Sequence, residues 1–256
     1  MTGLPHDPRG HVFFSGDDRL EGILEWPAGA GTGAAERAAA GGGDGGPRAA
    51  AGVVVAHPHP LYGGTMAQPV VYRVAQACRE RGFASLRFDF RGVGRSGGRY
   101  SGSEEYRDVE AAAAFLRGRL AAGERVPETG GRRPPLVLAG YSFGSVMAAA
   151  AAGAGAVPVQ ALALIALVVG WEELPLGFLD GFARFRGPVL AVCGELDDLA
   201  PPDVVEQTLA GLGLDFRLAV VAGAGHLFEH KQREVGEHVA GFFADTLAGK
   251  RPARGA

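Results

Sequence analysis

Hydrophobic and polar positions alternate along this chain in two rhythms. Short apolar runs recur from residue 52 onward: "GVVVAHP", "ASLRFDF", "PLVLAGY", "VQALALIALVVG", "GPVLAVCGE" and "FRLAVVAGAG". Runs of that length, rich in branched residues, read as strands. Segments with helical spacing lie between them. In "VVYRVAQACRERG", Val71, Val74, Ala75 and Cys78 mark one helix face. "EEYRDVEAAAAFLRGRLAAG" predicts a helix with its charges on one side, and "FGSVMAAAAAGAG" a small-residue helix able to pack closely on a sheet. "PDVVEQTLAGLG" and the segment from Leu227 to Leu247 predict two more. Strands that are apolar throughout need cover on both faces, which predicts an α/β protein with a mostly parallel central sheet between helices. Ahead of it, "HVFFSG" and "LEGILEWP" flank Gly16-Asp17-Asp18 and predict an N-terminal antiparallel hairpin.

Two stretches break the rhythm. Residues 28–52, "AGAGTGAAERAAAGGGDGGPRAAAG", hold no bulky apolar side chain and predict a flexible Ala/Gly-rich loop. Residues 170–187 form a short lid-like segment, in which Leu174, Phe178, Phe182 and Phe185 repeat at helical spacing and predict core packing. The regular alternation elsewhere predicts a single domain over residues 1–256.

Composition narrows the picture. The chain is 47% hydrophobic and 21% charged, the balance of a soluble globular protein. A net charge of −3 argues against a nucleic-acid surface. The longest apolar run, residues 161–169, is far short of the roughly 20 residues that span a bilayer. "MTGLPHDPRG" lacks a secretion signal's apolar core, so a cytoplasmic protein with no membrane partner is expected. Cys78 and Cys193 each sit inside apolar segments and read as buried residues.

Ligands of open parallel sheets bind beyond the carboxyl ends of the strands, and chemistry-bearing residues concentrate there. Gly140-Tyr141-Ser142-Phe143-Gly144 places G-x-S-x-G between a strand and a helix. A serine in so sharp a turn projects its hydroxyl clear of the backbone, provided that its glycine neighbours leave room. A serine needs a base, and His226 follows the last strand in "GAGH". The base needs a carboxylate, and Asp197 and Asp198 follow the preceding strand in "GELDD". An oxyanion hole needs two N–H groups. One is expected from Phe143. The other is expected from "HPHPLYGG", where Pro58 and Pro60 have none to give and His59 stands ahead of Leu61 and Tyr62. Gly63 and Gly64 are expected to let this loop approach substrate. Trp171, just past a strand, is a candidate pocket wall. Two metal readings rank below this one: His57 with His59, and His226 with Glu229 and His230 in H-x-x-E-H.

With these residues placed, the chain resembles the α/β-hydrolase superfamily, in particular its small, lid-poor bacterial esterase or dienelactone-hydrolase-like members. "HPHPLYGGTM", "LRFDFRGVGRSGG", "LAGYSFGS", "GELDDLAPP" and "GAGHLFE" carry the likeness, in order, from about residue 50. The resemblance implies the α/β-hydrolase fold, selects Asp197 over Asp198 as the acid, and gives Asp89 and Arg91 a role in shaping the loop beside the serine. The expected function is hydrolysis of a small-molecule carboxylic ester through an acyl-enzyme on Ser142, with no cofactor and no metal. The alternatives are a peptidase or thioesterase on the same residues, or a non-catalytic binding protein that retains the fold.

Overall fold

The computed structural model describes residues 10–27, 49–122, 133–170 and 177–250. They build an eight-stranded sheet in the order β1 (His11–Ser15), β2 (Arg19–Glu25), β4 (Phe83–Phe88), β3 (Ala51–Ala56), β5 (Leu136–Tyr141), β6 (Leu162–Ile165), β7 (Val189–Gly194), β8 (Phe216–Val221). β1 and β2 form the expected antiparallel hairpin, and β2 pairs antiparallel with β4. All pairings from β4 across to β8 are parallel. The fold is that of an α/β-hydrolase.

β3, β4, β5, β6 and β7 are buried at every position, so both faces of the sheet are covered. Helices α1 (Pro69–Glu80) and α6 (Gln232–Leu247) pack on each other as one group. Helices α2 (Tyr106–Ala121), α3 (Phe143–Ala154) and α4 (Phe178–Phe182) form a second. Helix α5 (Pro202–Gly211) packs on β8 and β7. β8 is the sheet's edge and is only half-buried along most of its length, unlike the strands beside it. Cys78 and Cys193 are buried and unbonded. Among the described residues, no helix is long and apolar enough to cross a membrane.

Small residues decide how closely the layers approach. A Cβ on Gly52 would lie 2.7 Å from the Leu120 side chain. The end of the stretch expected to be a loop is therefore structural: Ala49 is buried, and Ala51 and Gly52 begin β3 beneath α2. Residues 28–48 lie outside the described residues. The small-residue helix α3 meets another helix as well as the sheet, since a Cβ on Gly153 would stand 2.4 Å from the backbone of Gly181 in α4. Phe178, Phe182 and Phe185 are core residues, as their spacing predicts, while Leu174 is outside the described residues.

Three element boundaries differ from the sequence pattern. β6 stops at Ile165 because Ala166 turns left-handed at φ 48°, well before the apolar run ends. α6 starts at Gln232 rather than Leu227, because Phe228 and His230 adopt φ of 51° and 61°. The charges of α2 are not confined to one side. Asp108 lies on its buried face, in one stripe with Ala112, Leu116 and Leu120.

Gly153→Ala should lower stability by about 1–3 kcal/mol through forced separation of α3 from α4, seen as a Tm lower by roughly 2–10 °C. Gly118, exposed in α2 with open space where its Cβ would be, is the control. Gly118→Ala should leave the Tm unchanged or raise it. Equal melting of all three proteins would contradict the packing account.

Candidate active site

At the β5–α3 junction Ser142 has φ 53° and ψ −119°, a region that non-glycine residues rarely occupy. The surrounding backbone leaves little alternative. A Cβ on Gly140 would sit 2.1 Å from Gly144 O, and one on Gly144 would sit 2.4 Å from His57 O. Both flanking glycines are therefore sterically required, the first by the turn itself and the second by the loop after β3. Ser142 N–H donates to Ile165 O (2.8 Å), and Ser145 Oγ donates to Ser142 O (2.5 Å). The bend thus positions Ser142 at the N-terminus of α3.

Ser142 Oγ lies 2.9 Å from His226 Nε2. The other face of the imidazole meets Asp197, with Nδ1 at 2.9 and 3.0 Å from its two carboxylate oxygens. Nδ1 therefore carries the proton and Nε2 is left to accept from the serine. Burial pushes the Asp197 carboxyl up. Hydrogen bonds from His226, Ala200 N–H and Leu199 N–H outweigh it and hold the group below the usual carboxylate range. Asp198 is exposed.

The His226 loop is anchored from three sides. Tyr141 Oη donates to His226 O at 2.9 Å. Phe228 is fully buried, its ring centroid 6.2 Å from that of Tyr141. Gly194 ends β7 against the loop, since a Cβ there would lie 2.4 Å from Ala224 O. Tyr141 is a positioning residue that sequence patterning missed, because its side chain counts as one more apolar member of a buried strand.

The loop after β3 closes on itself. A 3₁₀ turn (Pro60–Tyr62) follows His59. Leu61 N–H donates to His59 Nδ1 at 3.1 Å and Tyr62 N–H to His59 O at 3.1 Å, so both of these candidate oxyanion donors are spent inside the loop. Because Nδ1 accepts, Nε2 of His59 carries the proton and donates to Tyr100 Oη at 2.8 Å. Gly64 is required by the closure of the loop. Its missing Cβ would stand 2.0 Å from Pro58 O.

His57 has the opposite tautomer. Its Nε2 accepts from Phe90 N–H (3.1 Å), which leaves Nδ1–H to donate to Pro58 O (2.6 Å). Burial pushes its pKa down to about 4, against a smaller opposing effect of the Pro58 bond. With the nitrogens of both rings engaged in structural bonds, His57 and His59 do not form a metal pair. The H-x-x-E-H reading also fails geometrically, since residues 227–231 are turns rather than helix, and Glu229 and His230 are exposed.

The loop after β4 buttresses this one. Asp89 accepts from Met66 N–H at 2.7 Å. Arg91 forms a buried, forked pair with Asp108 at 2.7–3.1 Å. Phe90 packs on both His57 and Phe143. Arg91 thus has a concrete partner in Asp108, and Asp89 one in the Met66 backbone.

Ser142 and His226 open into a cleft of about 770 Å³ that His59 and Tyr62 also line. Phe143 is buried beneath it, its ring 5.0 Å from that of His59. Leu61 is exposed and does not line the cleft, which corrects its expected role. Trp171 lies outside the described residues. Val168 and Val169, which follow the left-handed Ala166, reach the cleft from the end of β6.

A G-x-S-x-G bend after β5, a buried carboxylate after β7 and an imidazole after β8 define an α/β serine hydrolase architecture. Residues 51–180 match the serine aminopeptidase S33 family, and the chain belongs to that family. It is 29% identical over 189 residues to an uncharacterised protein of Rickettsia prowazekii (strain Madrid E), covering 71% of this chain and 73% of that one. It superposes on an α/β serine hydrolase without a lid from Xanthomonas campestris at TM-score 0.69 and 26% identity, covering 98% and 99% of the two chains. The ferulic-acid complex of Est1E from Butyrivibrio proteoclasticus shares the fold alone, with TM-score 0.71 at 17% identity over 93% and 99% of the chains.

The His57 tautomer has a measurable consequence. A base whose folded pKa lies below its unfolded value binds fewer protons when folded, so stability falls as pH drops from about 6.5 to about 4 and then levels. The loss should be on the order of 3 kcal/mol. Histidine NMR should show one ring neutral and Nδ1-protonated at pH 5. Titration of every histidine near 6.5 would contradict this arrangement.

Proposed function

We propose that this protein hydrolyses carboxylic esters through an acyl-enzyme on Ser142. The observation that supports it most is the hydrogen-bonded chain from Ser142 through His226 to Asp197. Ser142 Oγ attacks the substrate carbonyl as its proton passes to His226 Nε2. Asp197 holds the imidazole with its Nδ1–H inward and stabilises the imidazolium, its own carboxyl remaining ionised at neutral pH. The developing oxyanion is assigned to the N–H groups of Phe143, in the first turn of α3, and His59, with the positive end of that helix adding to the field. The intermediate collapses as His226 gives its proton to the departing alcohol. Water, deprotonated by the same imidazole, then attacks the acyl carbonyl, and the acid leaves Ser142 free.

An alcohol leaves more readily than an amine, which favours esters over amides on so plain a site. The family's description as serine aminopeptidases makes aminoacyl amides the second reading. Side-by-side rates on matched p-nitrophenyl esters, thioesters and aminoacyl anilides separate the readings, and turnover confined to anilides would overturn the ester assignment.

Ser142→Ala and His226→Ala should each lower kcat by on the order of 10⁴-fold, with no further loss in the double variant. Asp197→Asn should cost on the order of 10³-fold or more, whereas Asp198→Asn should cost less than about tenfold because no bond to His226 is removed. Full activity of Ser142→Ala would refute the mechanism.

A further inference from the structure

We infer that the cleft selects esters whose non-reacting part is apolar and uncharged, an aliphatic or aryl group rather than a carboxylate- or phosphate-bearing one. This rests on the reading of Ser142 as nucleophile and adds the substrate class. Three separate segments build one apolar wall beside Ser142. Val168 and Val169 come from the turn after β6, Leu199 and Pro201 from the loop that wraps Asp197, and Val204 from the first turn of α5. Leu227, next to His226, continues that wall on the base's side. Leu199 and Leu227 are about three-fifths exposed (58% and 62%), so they offer uncovered apolar area at the mouth rather than in the core. Apolar surface gathered at a concave site is the mark of a ligand surface.

Three polar side chains of the cleft are engaged by the protein itself. Gln68 Nε2 donates to Gly63 O (3.2 Å) and Tyr141 Oη to His226 O. His59 uses both ring nitrogens within its own surroundings. Among the described lining residues none is Lys or Arg, and the acidic one is Asp198. A substrate carboxylate or phosphate would shed water with no cation to receive it and a like charge nearby. An alkyl chain meets the apolar wall of Val168, Val169, Leu199, Pro201, Val204 and Leu227.

A series of p-nitrophenyl esters from acetate to octanoate, together with a hemiester ending in a free carboxylate and its methyl-capped equivalent, tests the inference. Transfer of each methylene from water to this wall should raise kcat/KM about two- to fourfold until the cleft is filled. The carboxylate hemiester should run at least about tenfold below its capped equivalent. Leu199→Ser should shrink the gain per methylene. A flat or falling series, a hemiester as fast as its capped form, or an unaltered gain in Leu199→Ser would overturn the inference. Labelling by a fluorophosphonate probe separates the two levels. Wild type labelled at Ser142 with a flat ester series sinks the apolar selection alone, whereas no labelling and no turnover of any ester sinks the hydrolase reading with it.

Discussion

The site depends on a steric constraint: a serine held at φ 53° where strand, helix and a neighbouring loop converge. Space for side chains is absent on both sides. Gly140 faces the carbonyl of Gly144, and Gly144 faces the carbonyl of His57. A left-handed serine is unfavourable by on the order of 1–3 kcal/mol and persists only where its surroundings fix it. Here they do so with the buried strand before it, the helix after it and the bonds to Ile165 and Ser145. The return is positional. The hydroxyl stands at the sheet's carboxyl end, 2.9 Å from an imidazole contributed 84 residues later.

The remaining parts hold that imidazole and the facing loop in register. Gly194 lets β7 meet the His226 loop, Phe228 anchors the loop in the core, and Tyr141 bonds its backbone. On the other side of Ser142, the two histidines of "HPHP" act as structural bases in opposite tautomers. His57 ties the loop after β3 to the loop after β4, and His59 ties it to Tyr100. The buried Arg91–Asp108 pair then fixes the β4 loop to α2. Such a pair is weak evidence of net stability, but losing one partner would leave a buried charge uncompensated. Its place suggests why polar residues occupy a region that apolar ones would otherwise fill.

Much of this is legible in the amino-acid sequence. Continuous apolar runs predicted the parallel sheet, and the residues that follow those runs predicted where Ser142, Asp197 and His226 would meet. The glycines of G-x-S-x-G carried their steric meaning in the motif. What escaped was set by tertiary contact or by φ at single residues. Ala166 ends β6 and redirects Val168 and Val169, yet alanine carries no turn signal. Phe228 and His230 delay α6 by similar means. Leu61 lost its expected role because its N–H bonds to a side chain two residues back, a local geometry that spacing does not encode. Asp108 did leave a trace, as the carboxylate in an apolar stripe with Ala112, Leu116 and Leu120. An ionisable residue at such a position asks for a buried partner, and Arg91 supplies it.

The central claim is covalent: the acyl group passes through Ser142. Acid-quenching the reaction with an activated ester in the millisecond range, followed by peptide mass spectrometry, tests it directly. The account predicts one acyl group per chain on the peptide containing Ser142, appearing with the burst of released alcohol. Product formation with no acylated peptide, or with the acyl group on a different residue, would contradict it.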